Sequence, residues 1–77
     1  MKKNRFSSSK YFRLYIGNKL RECIKKRGIS IAELARRTKI DASSLGRYTR
    51  GRNAPSLEII CALAFELETS VSEIVGV

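Results

Sequence analysis

The sequence lacks histidine and tryptophan altogether, and it contains only two cysteines and one proline. With no histidine and only Cys23 and Cys61 as sulfur ligands, the chain does not hold the ligand set of a zinc site. It also contains no nucleophile motif, no glycine-rich phosphate loop and no clustered pair of carboxylates. We therefore expect no enzymatic activity, no metal and no cofactor, and we expect both cysteines to be reduced thiols in the core.

Long apolar runs are missing as well. No run approaches the roughly 18 residues that a membrane-spanning helix needs. Lys2, Lys3 and Arg5 are not followed by an apolar stretch of signal-peptide length. The sequence therefore predicts a cytoplasmic protein that does not cross a membrane.

Positive charge is absent from the last third of the chain. All 16 lysines and arginines lie in residues 1–52 against three acids, which gives that part a charge of +13. Residues 53–77 have four glutamates and no base, which gives them −4. One end of the chain is thus suited to a polyanion, meaning nucleic acid or an anionic membrane.

Capping signals divide residues 11–77 into five helices, so we expect an all-α fold in a single domain. The expected N-caps are Ser30, Asp41, Ser56 and Ser70, and two of these, with Glu33 and Glu73, form an S-x-x-E capping box. Glycines at 28, 51 and 76 are expected to end helices. Apolar residues at helical spacing predict the inward face of the first and fourth helices: Ile16, Leu20, Cys23 and Ile24, and then Leu57, Ile60, Cys61, Ala64 and Leu67.

The third predicted helix, Ala42 to about Arg50, has an unusual outer face. Only Leu45 and Tyr48 are clearly apolar and inward, and the other positions are small or polar. Gly46 in its interior costs about 1 kcal/mol relative to alanine. A helix that is kept small on its outer face is typically pressed against another molecule.

The second and third helices are short and joined by about three residues, which is the helix-turn-helix arrangement. Four segments carry the match: SIAELA at 30–35, IDASSL at 40–45, RGRNAPSL at 50–57 and LETSVSEI at 67–74. The sequence resembles, over residues 16–76, the helix-turn-helix domain of the Cro and phage-repressor class, also called the XRE family. The resemblance implies a five-helix, lambda-repressor-like DNA-binding domain at 11–77, with the helix-turn-helix at about 31–50 and a flexible basic tail at 1–10.

The resemblance also implies which residues contact DNA. The helix at 42–50 would read base edges in the major groove with Ala42, Ser43, Ser44 and Arg47. Phosphates would be bound by Ser30, the backbone N–H of Ile31, Arg50, Arg52 and Asn53. Lys39 is a possible additional contact, whereas we expect Arg36 and Arg37 to be solvated charges. The tail is either an unstructured terminus or an arm that contacts the DNA backbone or a groove.

The chain departs from the family pattern at several positions. Ile31 stands where glutamine is usual, so one phosphate-binding side chain is lost. Lys39 stands where glycine is usual, and a left-handed lysine costs about 1 kcal/mol. Many members bury an arginine–glutamate pair between the first and third helices, and here the matching positions are Ile24 and Thr49. Because both charges are absent together, neither is left stranded.

From the resemblance we expect a sequence-specific, double-stranded DNA-binding transcriptional regulator that represses from an operator. We expect a homodimer on a palindromic site, because one short helix reads too few base pairs. The expected dimer surface consists of Val71, Ile74 and Val77. The protein would act in the bacterial cytoplasm, at the nucleoid, encoded by a bacterium or a phage.

Three alternatives remain at this point. The chain could act with a protein partner, as an antitoxin or a restriction-modification controller. It could be a nonspecific nucleic-acid or RNA binder. It could also lie on a membrane surface, although five short apolar segments separated by capping signals suit a globular domain better.

Overall fold

Five helices account for most of residues 10–76, the part of the chain that the computed structural model describes. They are α1 (Lys10–Arg27), α2 (Ile31–Thr38), α3 (Ala42–Thr49), α4 (Leu57–Glu66) and α5 (Val71–Val75). That range contains no strand, so the predicted all-α, five-helix fold is confirmed. The predicted tail, 1–10, lies outside the described residues except for Lys10, which begins α1.

Side-chain caps determine where four of the helices begin. The Oγ of Ser30 accepts from the backbone N–H of Glu33 at 3.0 Å, and Ser70 does the same with Glu73 at 3.0 Å. Asp41 and Ser56 cap α3 and α4 in the same way. All four predicted N-caps are confirmed. In a complete capping box, the Glu33 carboxylate would also accept a hydrogen bond from the backbone N–H of Ser30. Here the carboxylate accepts hydrogen bonds from Arg36 and Arg37 instead.

Left-handed residues end the helices and turn the chain. Gly51, with φ of 74°, follows α3 as predicted. Lys39, with φ of 63°, ends α2, and its N–H donates to the carbonyl of Ala35 at 2.8 Å. The expected strain at Lys39 is therefore present, and this turn sets the angle between α2 and α3.

The core is built from one face of each helix. Its members within residues 10–76 are Ile16, Leu20, Cys23, Leu34, Leu45, Ile60, Leu63, Ala64, Leu67 and Ile74. Two predicted members of the α4 face are wrong: Leu57 is 67% exposed and Cys61 is exposed. Leu63, which is fully buried, belongs to that face instead. Because α4 is apolar on several sides, its packing against α2 and α5 decides which side is buried.

The packing order leaves one side of α3 open. Helix α1 packs against α3 and α5, and α2 packs against α3 and α4. The inner side of α3 therefore packs against α1 and α2, and its outer side faces solvent.

Candidate nucleic-acid interface

The solvent-facing side of α3 carries most of the residues predicted to read bases. Ala42, Ser43 and Arg47 are exposed, and Ser44 is half-buried. On the opposite side, Leu45 is fully buried and Thr49 is 8% exposed. The structure thus brings the four predicted base-reading residues to the accessible part of one helix.

Hydrogen bonds fix the polar groups at the start of α3. The Asp41 carboxylate accepts from the Ser43 hydroxyl at 2.6 Å and from the Ser44 N–H at 3.2 Å. These two bonds, the hydroxyl first, lower the pKa of Asp41 below its ordinary value. Because Ser43 donates its only hydroxyl proton to Asp41, its oxygen is left to present lone pairs to solvent. Ser43 is thereby oriented as an acceptor, which the sequence pattern did not reveal.

Arg47 is the one long side chain among the four predicted base-reading residues. Its Nη2 donates to Ser44 Oγ at 3.1 Å, so Ser44 supports the guanidinium from within the same helix turn. The remaining N–H groups of a guanidinium form a planar set of donors that matches the two acceptors of a guanine edge.

The predicted phosphate-binding residues lie at two places. Ser30 is exposed and caps α2, while the half-buried Ile31 packs against the core. Ile31 can therefore offer its backbone N–H, one of the first-turn donors that a helix leaves unpaired. Arg52 and Asn53 are exposed in the loop after α3, where the Arg52 N–H donates to the Arg47 carbonyl at 2.9 Å. Lys39 is exposed in the turn between α2 and α3.

Helix α1 grips the carboxyl-terminal end of α3 through residues that sequence reasoning missed. A Cβ on the buried Gly17 would lie 2.9 Å from the carbonyl oxygens of Tyr48 and Thr49. Arg21 donates to the Thr49 carbonyl, and Arg13 donates to the Gly51 carbonyl at 3.2 Å. The available signal was the spacing of 13, 17 and 21, which places all three residues on one helix face.

These contacts lie close to positions 24 and 49, where many family members have a buried arginine–glutamate pair. Ile24 is half-buried, and Thr49 turns its hydroxyl back to the Gly46 carbonyl at 2.9 Å. The link between α1 and α3 is therefore made by Arg21, one turn before Ile24, and it ends on a backbone carbonyl.

Much of the remaining positive charge is paired away from α3. Arg36 and Arg37 both hold Glu33, and these hydrogen bonds, that of Arg36 first, lower the pKa of Glu33 to about 2. Other ion pairs join the basic and acidic parts of the chain: Lys19 with Glu73 at 3.8 Å, Arg27 with Glu68 at 3.5 Å and Arg37 with Glu66 at 3.9 Å. Each exposed pair contributes little to stability. Together, however, the pairs neutralise part of the positive charge on the side of the domain away from the exposed face of α3, which we call the back of the domain.

The predicted dimer surface needs correction. Ile74 is 0% exposed because its side chain is part of the core, so its assignment to an exposed surface is wrong. Val71 is half-buried, and Val77 lies outside the described residues. The large apolar side chains exposed on α4 are Leu57 and Phe65, at 67% and 80%.

No helix within residues 10–76 combines the length and apolar character needed to cross a membrane. The same residues contain no group of three or more histidine, cysteine, aspartate or glutamate side chains able to hold a metal ion.

Two short helices, a three-residue connection and an open second helix with a guanidinium on its outer side define a helix-turn-helix DNA-binding domain. The helix-turn-helix family model HTH_3 matches residues 20–74. The chain belongs to this family, and it is a DNA-binding regulator of that type.

Solved structures share this fold. The restriction-modification controller protein C.AhdI from Aeromonas hydrophila is 31% identical with a TM-score of 0.78, over 83% of this chain and 97% of that one. An HTH_3 family transcriptional regulator from Vibrio cholerae is 31% identical with a TM-score of 0.79, over 84% of this chain but only 36% of that one. The hypothetical transcription factor NHTF from Neisseria, at 22% identity and a TM-score of 0.78 over 88% of this chain and 79% of that one, shares the fold. No curated protein matches the sequence.

Proposed function

We propose that this protein is a sequence-specific transcriptional repressor that inserts α3 into the major groove of a double-stranded DNA operator. The observation that carries the proposal is the contrast within α3, whose inner side is held by α1 and α2 while its outer side is small, polar and accessible. Repression is the simpler outcome, because occupying a promoter is enough to exclude the polymerase. The proposal assigns no catalytic step to the chain.

Arg47 is the principal base reader in this proposal. A bidentate pair of hydrogen bonds to guanine O6 and N7 discriminates by about 1–3 kcal/mol. Ser43, oriented as an acceptor by Asp41, suits an amino group of cytosine or adenine, and Ala42 suits a thymine methyl. Ser44 acts mainly by holding Arg47.

Phosphate contacts supply most of the affinity. The N–H of Ile31 and the hydroxyl of Ser30 bind at the start of α2, where the helix dipole favours an anion. The side chains proposed to bind further phosphates are Lys39, Arg50, Arg52 and Asn53. Residues 11–77 form the binding domain in this proposal, and a DNA contact by the basic segment 1–10 stays a prediction.

A homodimer on a palindromic operator would double the number of base pairs read. Leu57 and Phe65 are the exposed apolar residues best suited to a second copy, and Val71 remains a candidate beside them. All three lie in residues 53–77, which contain no lysine or arginine, and none of them is among the residues proposed to contact DNA. The setting is the cytoplasm of a bacterium, at the nucleoid, with the gene carried by the bacterium or a phage.

Selection of bound duplexes from a random pool tests the proposal directly. The wild-type chain should enrich one motif, and its affinity for that motif should fall steeply with salt, since each neutralised phosphate adds about −0.9 to the slope of log K against log salt. Arg47→Ala should relax preference at one base position, whereas Arg52→Ala should weaken all duplexes about equally. Equal affinity for the selected and random duplexes would contradict sequence-specific regulation.

A second candidate is a restriction-modification controller, because C.AhdI matches over 97% of its own length. In that case the selected motif should occur in the host directly upstream of restriction and modification genes. A motif found only at unrelated promoters would favour a general repressor.

A further inference from the structure

Gly46 leaves a stretch of bare backbone on α3, and the side chain of Arg50 lies over it. A Cβ at position 46 would come within 3.1 Å of Arg50 Nη1 and 3.8 Å of both Cζ and Nη2. All three nearest atoms thus belong to one guanidinium group. Since residues 46 and 50 are one helical turn apart, Arg50 folds back along the helix toward its amino terminus.

The guanidinium of Arg50 is on the accessible side of α3. Residues 43, 46, 47 and 50 follow one another at spacings of three, one and three, which places them on the helix face opposite the core residue Leu45. Ser43, Arg47 and Arg50 are exposed. Arg47 turns toward Ser44 and Arg50 lies across Gly46, so the same face presents two guanidinium groups one after the other.

Among the described residues, the guanidinium donors of Arg50 are unused, as are those of Arg52 in the loop after α3. Within residues 10–76 the Arg50 guanidinium has no hydrogen-bond or ion-pair partner, whereas Arg36 and Arg37 are bound to Glu33 and Arg21 to the end of α3. Desolvating unpaired donors against a base edge is favourable only if acceptors meet them. Guanine O6 and N7 are such acceptors in the major groove.

Glycine at position 46 has a cost that this arrangement explains. Alanine would favour the helix by about 1 kcal/mol, but its methyl group would meet Nη1 at less than ordinary contact distance. The absent side chain therefore keeps open the position that the guanidinium occupies.

We propose that Gly46 and Arg50 act as one specificity element, in which the bare backbone at Gly46 seats Arg50 so that it reads a guanine edge next to the base read by Arg47. This inference rests on the proposed insertion of α3 into the major groove. It changes the role of Arg50 from a phosphate contact to a base reader.

Duplex selection with the full chain tests the proposal with four proteins: wild type, Arg50→Ala, Gly46→Ala and the double variant. Arg50→Ala should lower the preference at one base pair about tenfold, within the range of a lost bidentate contact. Gly46→Ala should lower preference at that same position even though it makes the helix more stable. The double variant should discriminate no worse than Arg50→Ala alone, because both changes remove the same contact.

Arg52→Ala is the matched control, because it removes the same charge from the loop two residues after Arg50, away from Gly46. It should weaken all duplexes about equally and leave the selected motif unchanged. If Arg50→Ala behaves like Arg52→Ala, Arg50 is a phosphate contact and the proposal is wrong. If the Gly46→Ala and Arg50→Ala losses add, glycine serves the close approach of DNA itself, which also overturns the proposal. A wild-type chain that enriches no motif contradicts the proposed function instead.

Discussion

A glycine lies on each side of α3: Gly17 of α1 packs against its inner side, and Gly46 lies on its outer side. The two glycines differ in whether backbone or side-chain atoms surround them. On the inner side, Gly17 of α1 faces two backbone carbonyls that cannot move independently of the helix. On the outer side, Gly46 faces only the end of a flexible arginine side chain. The comparison shows that the domain fixes the position of α3 through backbone packing, whereas only a flexible side chain covers its outer side at Gly46.

The arginines follow the same division. Arg13 and Arg21 donate to carbonyls at and just after the end of α3, where positive charge also complements the helix dipole. Arg47 and Arg50 lie on the outer side, where their remaining donors face solvent. The same residue type therefore anchors the helix on one side and is available to a ligand on the other.

The largest expected effect is that of Gly17→Ala. The added methyl group would meet the carbonyl oxygens of Tyr48 and Thr49 at 2.9 Å and the N–H of Gly51 at 3.2 Å. Overpacking of this kind costs about 1–3 kcal/mol, so thermal unfolding followed by circular dichroism should shift down by several degrees. Lys25→Ala, at an exposed position of the same helix, is the control. Equal midpoints for Gly17→Ala and wild type would mean that α1 and α3 are not in close backbone contact.

Arg21→Ala should have a moderate effect. It removes the hydrogen bond to the Thr49 carbonyl, worth about 1 kcal/mol, and should lower the urea midpoint while accelerating amide exchange at the end of α3. Because Arg21 acts on the inner side, the motif selected by the variant should match that of the wild type. A changed motif would show that the two sides of α3 are not independent.

Gly46→Ala should change stability in the opposite direction to Gly17→Ala. Helix propensity favours alanine by about 1 kcal/mol, and the Arg50 guanidinium can move aside at little cost. The free energy of unfolding from urea titration should therefore rise by up to about 1 kcal/mol. A decrease of similar size would indicate that Arg50 is held as rigidly as the backbone behind Gly17.

The smallest expected effect on stability concerns Glu33, whose carboxylate is paired with Arg36 and Arg37 on the same helix, α2. Because the folded pKa of Glu33, about 2, lies below its ordinary value of 4.5, its pairing stabilises the fold fully above pH 4.5. That contribution is lost as the pH falls toward 2. Melting temperatures should separate Glu33→Gln from wild type at pH 7 and converge near pH 2. A gap that stays constant with pH would exclude ionisation of Glu33 as its cause.

Local features of the fold were predictable and long-range ones were not. Ser30, Asp41, Ser56 and Ser70 were identified as caps because each cap bonds a residue three positions away. Leu57 and Cys61 were misassigned because α4 is apolar on several sides, so tertiary packing alone selects its buried face.

The same division holds for the candidate site. The exposure of Ala42, Ser43 and Arg47 follows from the helical period. The grip of Arg21 on Thr49 joins residues 28 positions apart, and in the sequence Arg21 resembles any solvated charge. The hydroxyl orientation of Ser43 depends on a rotamer, which no spacing encodes.

The ion pairs on the back of the domain affect the way in which the protein meets DNA. Glu66, Glu68 and Glu73 are paired with Arg37, Arg27 and Lys19. Arg47 of α3, Arg50 at its C-cap and the nearby Arg52 are exposed and form no ion pair among the described residues. We expect this uneven charge to orient the domain in the field of a duplex, so that the side with Arg47 and Arg50 turns toward the DNA before contact. A copy that first meets the duplex in another orientation would then rotate during the encounter and still bind through α3.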